Sequence, residues 1–258
     1  MILRRVIEHV RTQNWTAIGI DFVIVVFGVF MGIQLGNWND ARANAAKEEV
    51  ALAAILDDIE ADFAGLNGAL DAAVLATQAS NHLLEVAGLQ PLTELKTPVF
   101  ASLLNTDELP FPEGVSSREA KPEQLWSAIA LRFYPSQYDA AFSGLVAAGD
   151  LSLISDQELV HDLKGYTALW DALENSQDTT FRPFRDRLIF VGQDHGLSPF
   201  KDVEDEELAK LIKANPELEA AVRTVLEYGV LHWQSMKRLR ADAEALEAKL
   251  RAALEEKE

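Results

Sequence analysis

The sequence predicts an all-α protein: one N-terminal transmembrane helix, then a helical bundle built on a long, antiparallel, coiled-coil-like helix pair. Three observations predict it. An uncharged apolar run covers 22–38, and apolar residues recur every three and four positions in two long segments, one on each side of a less regular middle. Ala and Leu dominate, with Glu, Asp, Lys and Arg between them, a composition that favours helices. No stretch alternates apolar and polar residues long enough to make a sheet.

The membrane segment comes first. The apolar run extends back from Phe22 to Trp15, interrupted only by Asp21. Residues 15–38 make about 36 Å of helix at 1.5 Å per residue, enough for a hydrocarbon core of about 30 Å. Trp15 and Trp38 stand at its two ends, where interfacial aromatics belong. A cleaved signal peptide is the competing reading, because Ala43-Asn44-Ala45 offers small residues at peptidase spacing. The apolar core exceeds the roughly 7–15 residues of a signal sequence, which favours an uncleaved anchor.

Within the anchor, Gly28, Gly32 and Gly36 recur every fourth residue and share one face. Such a face lets another helix approach closely and gain van der Waals contact, the main attraction available in lipid. The partner is another membrane protein or a second copy of this chain. Asp21 and Gln34 are the intramembrane polar residues. Asp21 lies about 9 Å inside Trp15, within reach of the headgroups or of a polar contact on a partner helix. Residues 1–14 read as an amphipathic helix at the lipid surface, with Leu3, Val6, Ile7 and Val10 on one stripe and Arg4, Arg5 and Arg11 toward anionic lipid. These three arginines, against Arg42 and Lys47 beyond the anchor, favour a cytoplasmic N-terminus by a small margin.

Residues 39–258 form the acidic helical soluble domain. A long helix is expected over 40–88, where Leu52, Leu56, Ile59, Phe63, Leu66, Leu70 and Ala73 keep a 3.5-residue average. Its counterpart is a C-terminal helix over 215–257, opened by Asn215-Pro216 as cap and first helical residue. The seam there reads Leu218, Val222, Val225, Gly229, His232, Met236, Leu239, Ala243, Leu246 and Leu250. Matched lengths predict antiparallel pairing within the chain; pairing between chains is the alternative. Residues 90–122 carry five prolines and read as an irregular segment with at most a short helix near 100–104. Short helices fill 122–214, at 122–133, 136–148, 155–173 (opened by Ser155 and Glu158 as a capping box), 183–193 and 204–214.

Charge and composition exclude several functions. The formal net charge is −18, and 1–40 sum to zero, so all of it falls on 41–258 as 20 basic against 38 acidic residues. Such a surface repels phosphate backbones, which argues against nucleic-acid binding. With no cysteine, disulfides, thiolate nucleophiles and cysteine–zinc sites are excluded. His9, His82, His161, His195 and His232 are too scattered for a metal site, and His232 on the seam reads as a buried residue that sets register. Asp57, Asp58, Glu60 and Asp62 lack the Gly and terminal Glu of a calcium loop and read as a solvated helix surface. Trp126, Phe133, Tyr134, Tyr138, Phe142, Tyr166 and Trp170 read as core, or as the walls of a ligand pocket. The basic run 181–187 suits an anion or acidic partner, or the domain's own carboxylates. No catalytic constellation, cofactor motif or metal-ligand set is present in the sequence.

Two stretches carry a resemblance. Residues 19–40 hold an acidic residue early in an apolar run, then Gly, then an exit through Gln34, Asn37, Trp38 and Asn39. In the second, 138–163, Gly149-Asp150-Leu151-Ser152-Leu153-Ile154 precedes a capped helix. Together they resemble a family of uncharacterised bacterial single-pass membrane proteins, defined by this Gln-x-x-Asn-Trp-Asn-type exit. The resemblance implies a Gram-negative inner membrane and brings no known activity. The expectation is a non-enzymatic, membrane-anchored interaction protein, an accessory or assembly subunit of a larger complex. The alternative is a periplasmic small-molecule sensor that signals through a partner.

Overall fold

The computed structural model describes residues 15–96, 108–109, 111–112, 116–117 and 119–255. The surface helix expected over 1–14, with Arg4, Arg5 and Arg11, falls outside these, as does the short helix near 100–104. The chain divides into two compact units, Met1–Val50 and Ala51–Glu258. Helix α1, Trp15–Val86, belongs to both. With no proline before Pro91, nothing in the sequence breaks it between the apolar run and the Ala-rich stretch that follows. It ends two residues before the expected position. Gly88, at φ 69°, turns the chain, and Leu89 N and Gly88 N donate to Leu84 O and Glu85 O, a Schellman closure.

In the first unit, 22–38 is helix with every large apolar side chain open, at 42–68% exposure. Among the described residues, α1 alone is long and apolar enough to cross a membrane.

In the second unit, α1 is followed by a two-residue antiparallel ladder, β1 (Leu95–Lys96) with β2 (Glu108–Leu109), inside the proline-rich segment where no strand was expected. Then come α2 (Leu125–Ala130), α3 (Ala140–Ala148), α4 (Gln157–Ser176), α5 (Arg182–Asp194), α6 (Asp205–Ala214) and α7 (Pro216–Glu255). Two anchors hold the irregular segment to α1. Asn81 exchanges two hydrogen bonds with the Leu92 backbone, at 2.8 and 2.9 Å, and Asp71 accepts both the N–H and the hydroxyl of Ser117.

Several boundaries differ from expectation. The helix expected over 122–133 is confined to a 3₁₀ turn and α2, because the chain leaves it at Leu131 into a strap without regular secondary structure, 131–139, and α3 begins at Ala140 rather than near 136. The cap of α4 is Asp156, not Ser155: its carboxylate accepts Glu158 N at 2.8 Å and Leu159 N at 3.1 Å. Nor does α4 stop near 173. It continues to Ser176 and passes through a π turn, Gln177–Phe181, directly into α5.

The unit has two apolar clusters. One joins Leu52, Ile59 and Leu66 of α1 with Leu163 and Trp170 of α4 and Met236, Leu239 and Leu246 of α7. The other joins Leu83 with Trp126, Leu188, Leu208, Ile212 and α7 residues Leu218, Val222 and Val225. Polar contacts between α1 and α7 run in opposing order: Arg251 reaches Glu60, and Arg240 reaches Asn67. Just past the end of α1, Arg223 donates to Gln90 O.

Candidate functional site

On the anchor, a Cβ at Gly28, Gly32 or Gly36 would meet nothing within 4 Å, so the three glycines present open backbone. Gln34, Asn37, Trp38 and Asn39 are exposed as well. The backbone of Asp21 is helical.

The helical unit carries a different constellation, between its two apolar clusters. The strap 131–139 positions it. Phe133 and Pro135 lie against α1, where Cβ atoms at Gly68 and Gly65 would stand 3.4 Å from Phe133 Cε1 and 3.2 Å from Pro135 Cβ. Arg132 and Tyr134 contact α7 instead. Arg132 Nη2 donates to Val225 O at 2.6 Å, and its guanidinium fills the space over Gly229 that any Cβ would occupy. The Tyr134 ring meets His232 edge-on at 5.0 Å.

His232 is 2% exposed, packed between Tyr134 and Phe181, whose ring centroid lies 4.6 Å away. Among the described residues, neither imidazole nitrogen has a hydrogen-bond partner. Burial, helped by the Arg132 charge, pushes the imidazole down to about 3, so it is neutral. Burial also lowers the Arg132 guanidinium from its ordinary value, with Arg185 adding to that, though Arg132 stays charged. It raises the Tyr134 hydroxyl against the opposing pull of Arg132, Arg185 and Arg182. The Tyr134 hydroxyl and Arg185 Nε, like the two imidazole nitrogens, are buried without partners among the described residues. Arg185 also lies 5.9 Å from the Tyr134 ring centroid.

The basic run is thus divided. Arg182 pairs with Asp178 at 2.8 Å and Arg187 with Glu217, while Arg185 faces inward, with Asp186 at 3.6 Å. Of the aromatics expected in the core, Trp126, Phe142, Tyr166 and Trp170 are buried, while Phe133 and Tyr138 are about half exposed. Beside the constellation opens a cleft of about 420 Å³ with Tyr134, Trp170 and Arg182 on its wall.

The acidic cluster of α1 departs from expectation. Asp62 is fully buried: Oδ1 accepts Tyr138 N at 2.7 Å and Oδ2 accepts the Tyr166 hydroxyl at 2.8 Å. Asp58 accepts Ala141 N at 2.8 Å, capping α3 from another helix. Asp58 and Asp62 thus form an interhelical joint, whereas Asp57 and Glu60 are exposed, as the solvated-surface reading expects.

Arg132 and its relation to His232 were missed in the sequence. Two signals pointed there: a lone arginine inside the apolar run 128–134, and a glycine on the buried seam of α7 one turn before His232. Among the described residues, no group of three or more His, Cys, Asp or Glu is placed to hold a metal ion. No family model matches the chain, nor does any curated protein or solved structure.

Proposed function

We propose that this chain is a non-enzymatic, membrane-anchored interaction protein, an accessory or assembly subunit of a larger bacterial inner-membrane complex. The N-terminus is cytoplasmic and the acidic helical domain periplasmic in this reading. The observation that carries it is the open surface of 22–38, whose large apolar side chains are all exposed among the described residues. In water such a surface would drive aggregation; in lipid it is at home. A mere tether needs only hydrophobicity, whereas this one adds an open backbone face at Gly28, Gly32 and Gly36. The resemblance of 19–40 to single-pass inner-membrane proteins supports the same location. Beyond the membrane, α1 and α7 serve as an antiparallel, coiled-coil-like pair that displays the short helices for lateral contacts.

Purification of the tagged protein from native membranes in mild detergent tests the reading, with mass spectrometry of what accompanies it. The expected result is a stoichiometric larger complex that Gly28→Leu with Gly32→Leu removes. Unchanged co-purification of the double variant overturns docking through this face.

A second reading, a small-molecule sensor signalling through a partner, is favoured by the orphaned polar groups around His232. Proteins keep such groups paired unless something else satisfies them. Recovery of the full-length chain alone would put this reading first.

A further inference from the structure

We infer that the notch formed by Arg132, Arg185 and Tyr134 binds one small monocarboxylate. The inference is independent of docking through the glycine face and gives the sensor reading its ligand class.

Charge is the first argument. Arg132, Arg185 and Arg182 all act on the Tyr134 hydroxyl. Asp178 answers Arg182 and Asp186 answers Arg185, but among the described residues Arg132 has no carboxylate partner. One positive charge is left over, half-buried, in a domain whose surface is strongly acidic. An unpaired charge of this kind is costly and calls for a counterion.

Hydrogen-bonding capacity is the second. Arg132 spends one N–H on Val225 O, and a guanidinium carries five, in a fork that matches a planar, two-oxygen acceptor. Arg185 Nε and the Tyr134 hydroxyl are donors without acceptors, and His232 adds one neutral N–H. All are donors waiting for the same kind of group. Gly229 is the third argument, because it alone on the α7 seam leaves room for the guanidinium to lie flat on the helix.

The surroundings select the ligand. The adjoining cleft carries Asp139, Asp171 and Glu174 beside Arg182 and Tyr134, so multiply charged anions are repelled on approach. Phe181 and Tyr228 supply aromatic faces for a short apolar tail. The π turn that brings Phe181 here is of a kind found often at functional sites.

Isothermal titration of acetate and of benzoate into the full-length protein in mild detergent, at constant ionic strength, tests this. The expected result is one saturable site per chain for at least one probe. Affinity should fall about tenfold or more in Arg185→Gln and Gly229→Ala, as for the loss of a charge-assisted hydrogen bond. Arg187→Gln, whose guanidinium belongs to Glu217, should bind as wild type does. If circular dichroism shows either variant unfolded, Tyr134→Phe replaces it, with weaker binding expected. Lack of saturable binding by both probes overturns the proposal, as does equal binding by the variants. Tighter binding of inorganic phosphate, or of a Glu-rich peptide, overturns the monocarboxylate assignment.

Discussion

Tyr166 donates its hydroxyl to Asp62 Oδ2 at 2.8 Å, joining α4 to α1 across 104 residues of chain. Tyr138 N completes the carboxylate's pairing, yet burial outweighs both bonds, and the Asp62 carboxyl is pushed up from 3.8 to about 6. A carboxyl raised on folding favours the folded state at low pH. Its contribution is complete below 3.8 and lost as pH rises through 6, about 3 kcal/mol across that window. Asp62→Asn should therefore stabilise the domain at pH 7 and remove this slope. Denaturant melts at pH 4.5 and pH 7 check it, and a destabilised variant at pH 7 would refute the assignment.

His232 works in the opposite direction over nearly the same range. An imidazole held neutral down to about 3 gives stability that is present above its ordinary 6.5 and lost as pH falls. The two buried groups thus oppose each other between pH 4 and 6, and the wild-type profile should be flatter than either alone would make it. His232→Phe keeps the ring between Tyr134 and Phe181 and removes two orphaned nitrogens. It should raise the melting temperature more at pH 4.5 than at pH 7. Asp62→Asn should leave the histidine unopposed and steepen acid unfolding.

Much of this architecture was readable from spacing alone. All ten seam positions of α7 are buried, because a 3.5-residue apolar repeat can be satisfied only by one continuous helical face. The long apolar helix over 22–38 was equally plain, since length and apolarity are local properties. What escaped was set by partners distant in sequence. Asp62 looks like a surface residue until Tyr138 and Tyr166 are placed around it. The strap's two ends, 131–133 and 136–139, read as helix by pattern, and their departure from it goes with the packing of Phe133 and Pro135 against Gly68 and Gly65. The continuity of α4 into α5 was hidden because Pro183 suggested a break. Pro183 stands directly after the π turn Gln177–Phe181, as the second residue of α5.

Gly192 of α5 sits directly under the fully buried Trp126, so closely that an added Cβ would overlap the indole ring. The ring cannot retreat, because Leu188, Leu208 and Ile212 of the same cluster are also fully buried around it. Gly192→Ala should cost about 1–3 kcal/mol through overpacking, against the usual gain from Ala in a helix. Chemical denaturation measures it. A neutral or stabilising result would mean that α5 can shift away from α2.

The remaining glycines make a paired prediction, because two of them sit in helices or at their ends for opposite reasons. Gly88 adopts φ 69° at the end of α1, a conformation an L-residue enters at a cost of about 1–2 kcal/mol. A Cβ there would meet only Lys213 Nζ at 3.4 Å, so backbone strain and not crowding sets the penalty. Gly165 lies inside α4 on an exposed face, with nothing within 4 Å of an added Cβ. Gly88→Ala should destabilise by about that amount, whereas Gly165→Ala should stabilise by about 0.5–1 kcal/mol. Since α4 also carries Tyr166 and Trp170, a stabilising Gly165→Ala must leave the pH slope due to Asp62 unchanged. If the same substitution alters that slope, α4 has moved, and the Asp62–Tyr166 joint is softer than its buried hydrogen bonds imply.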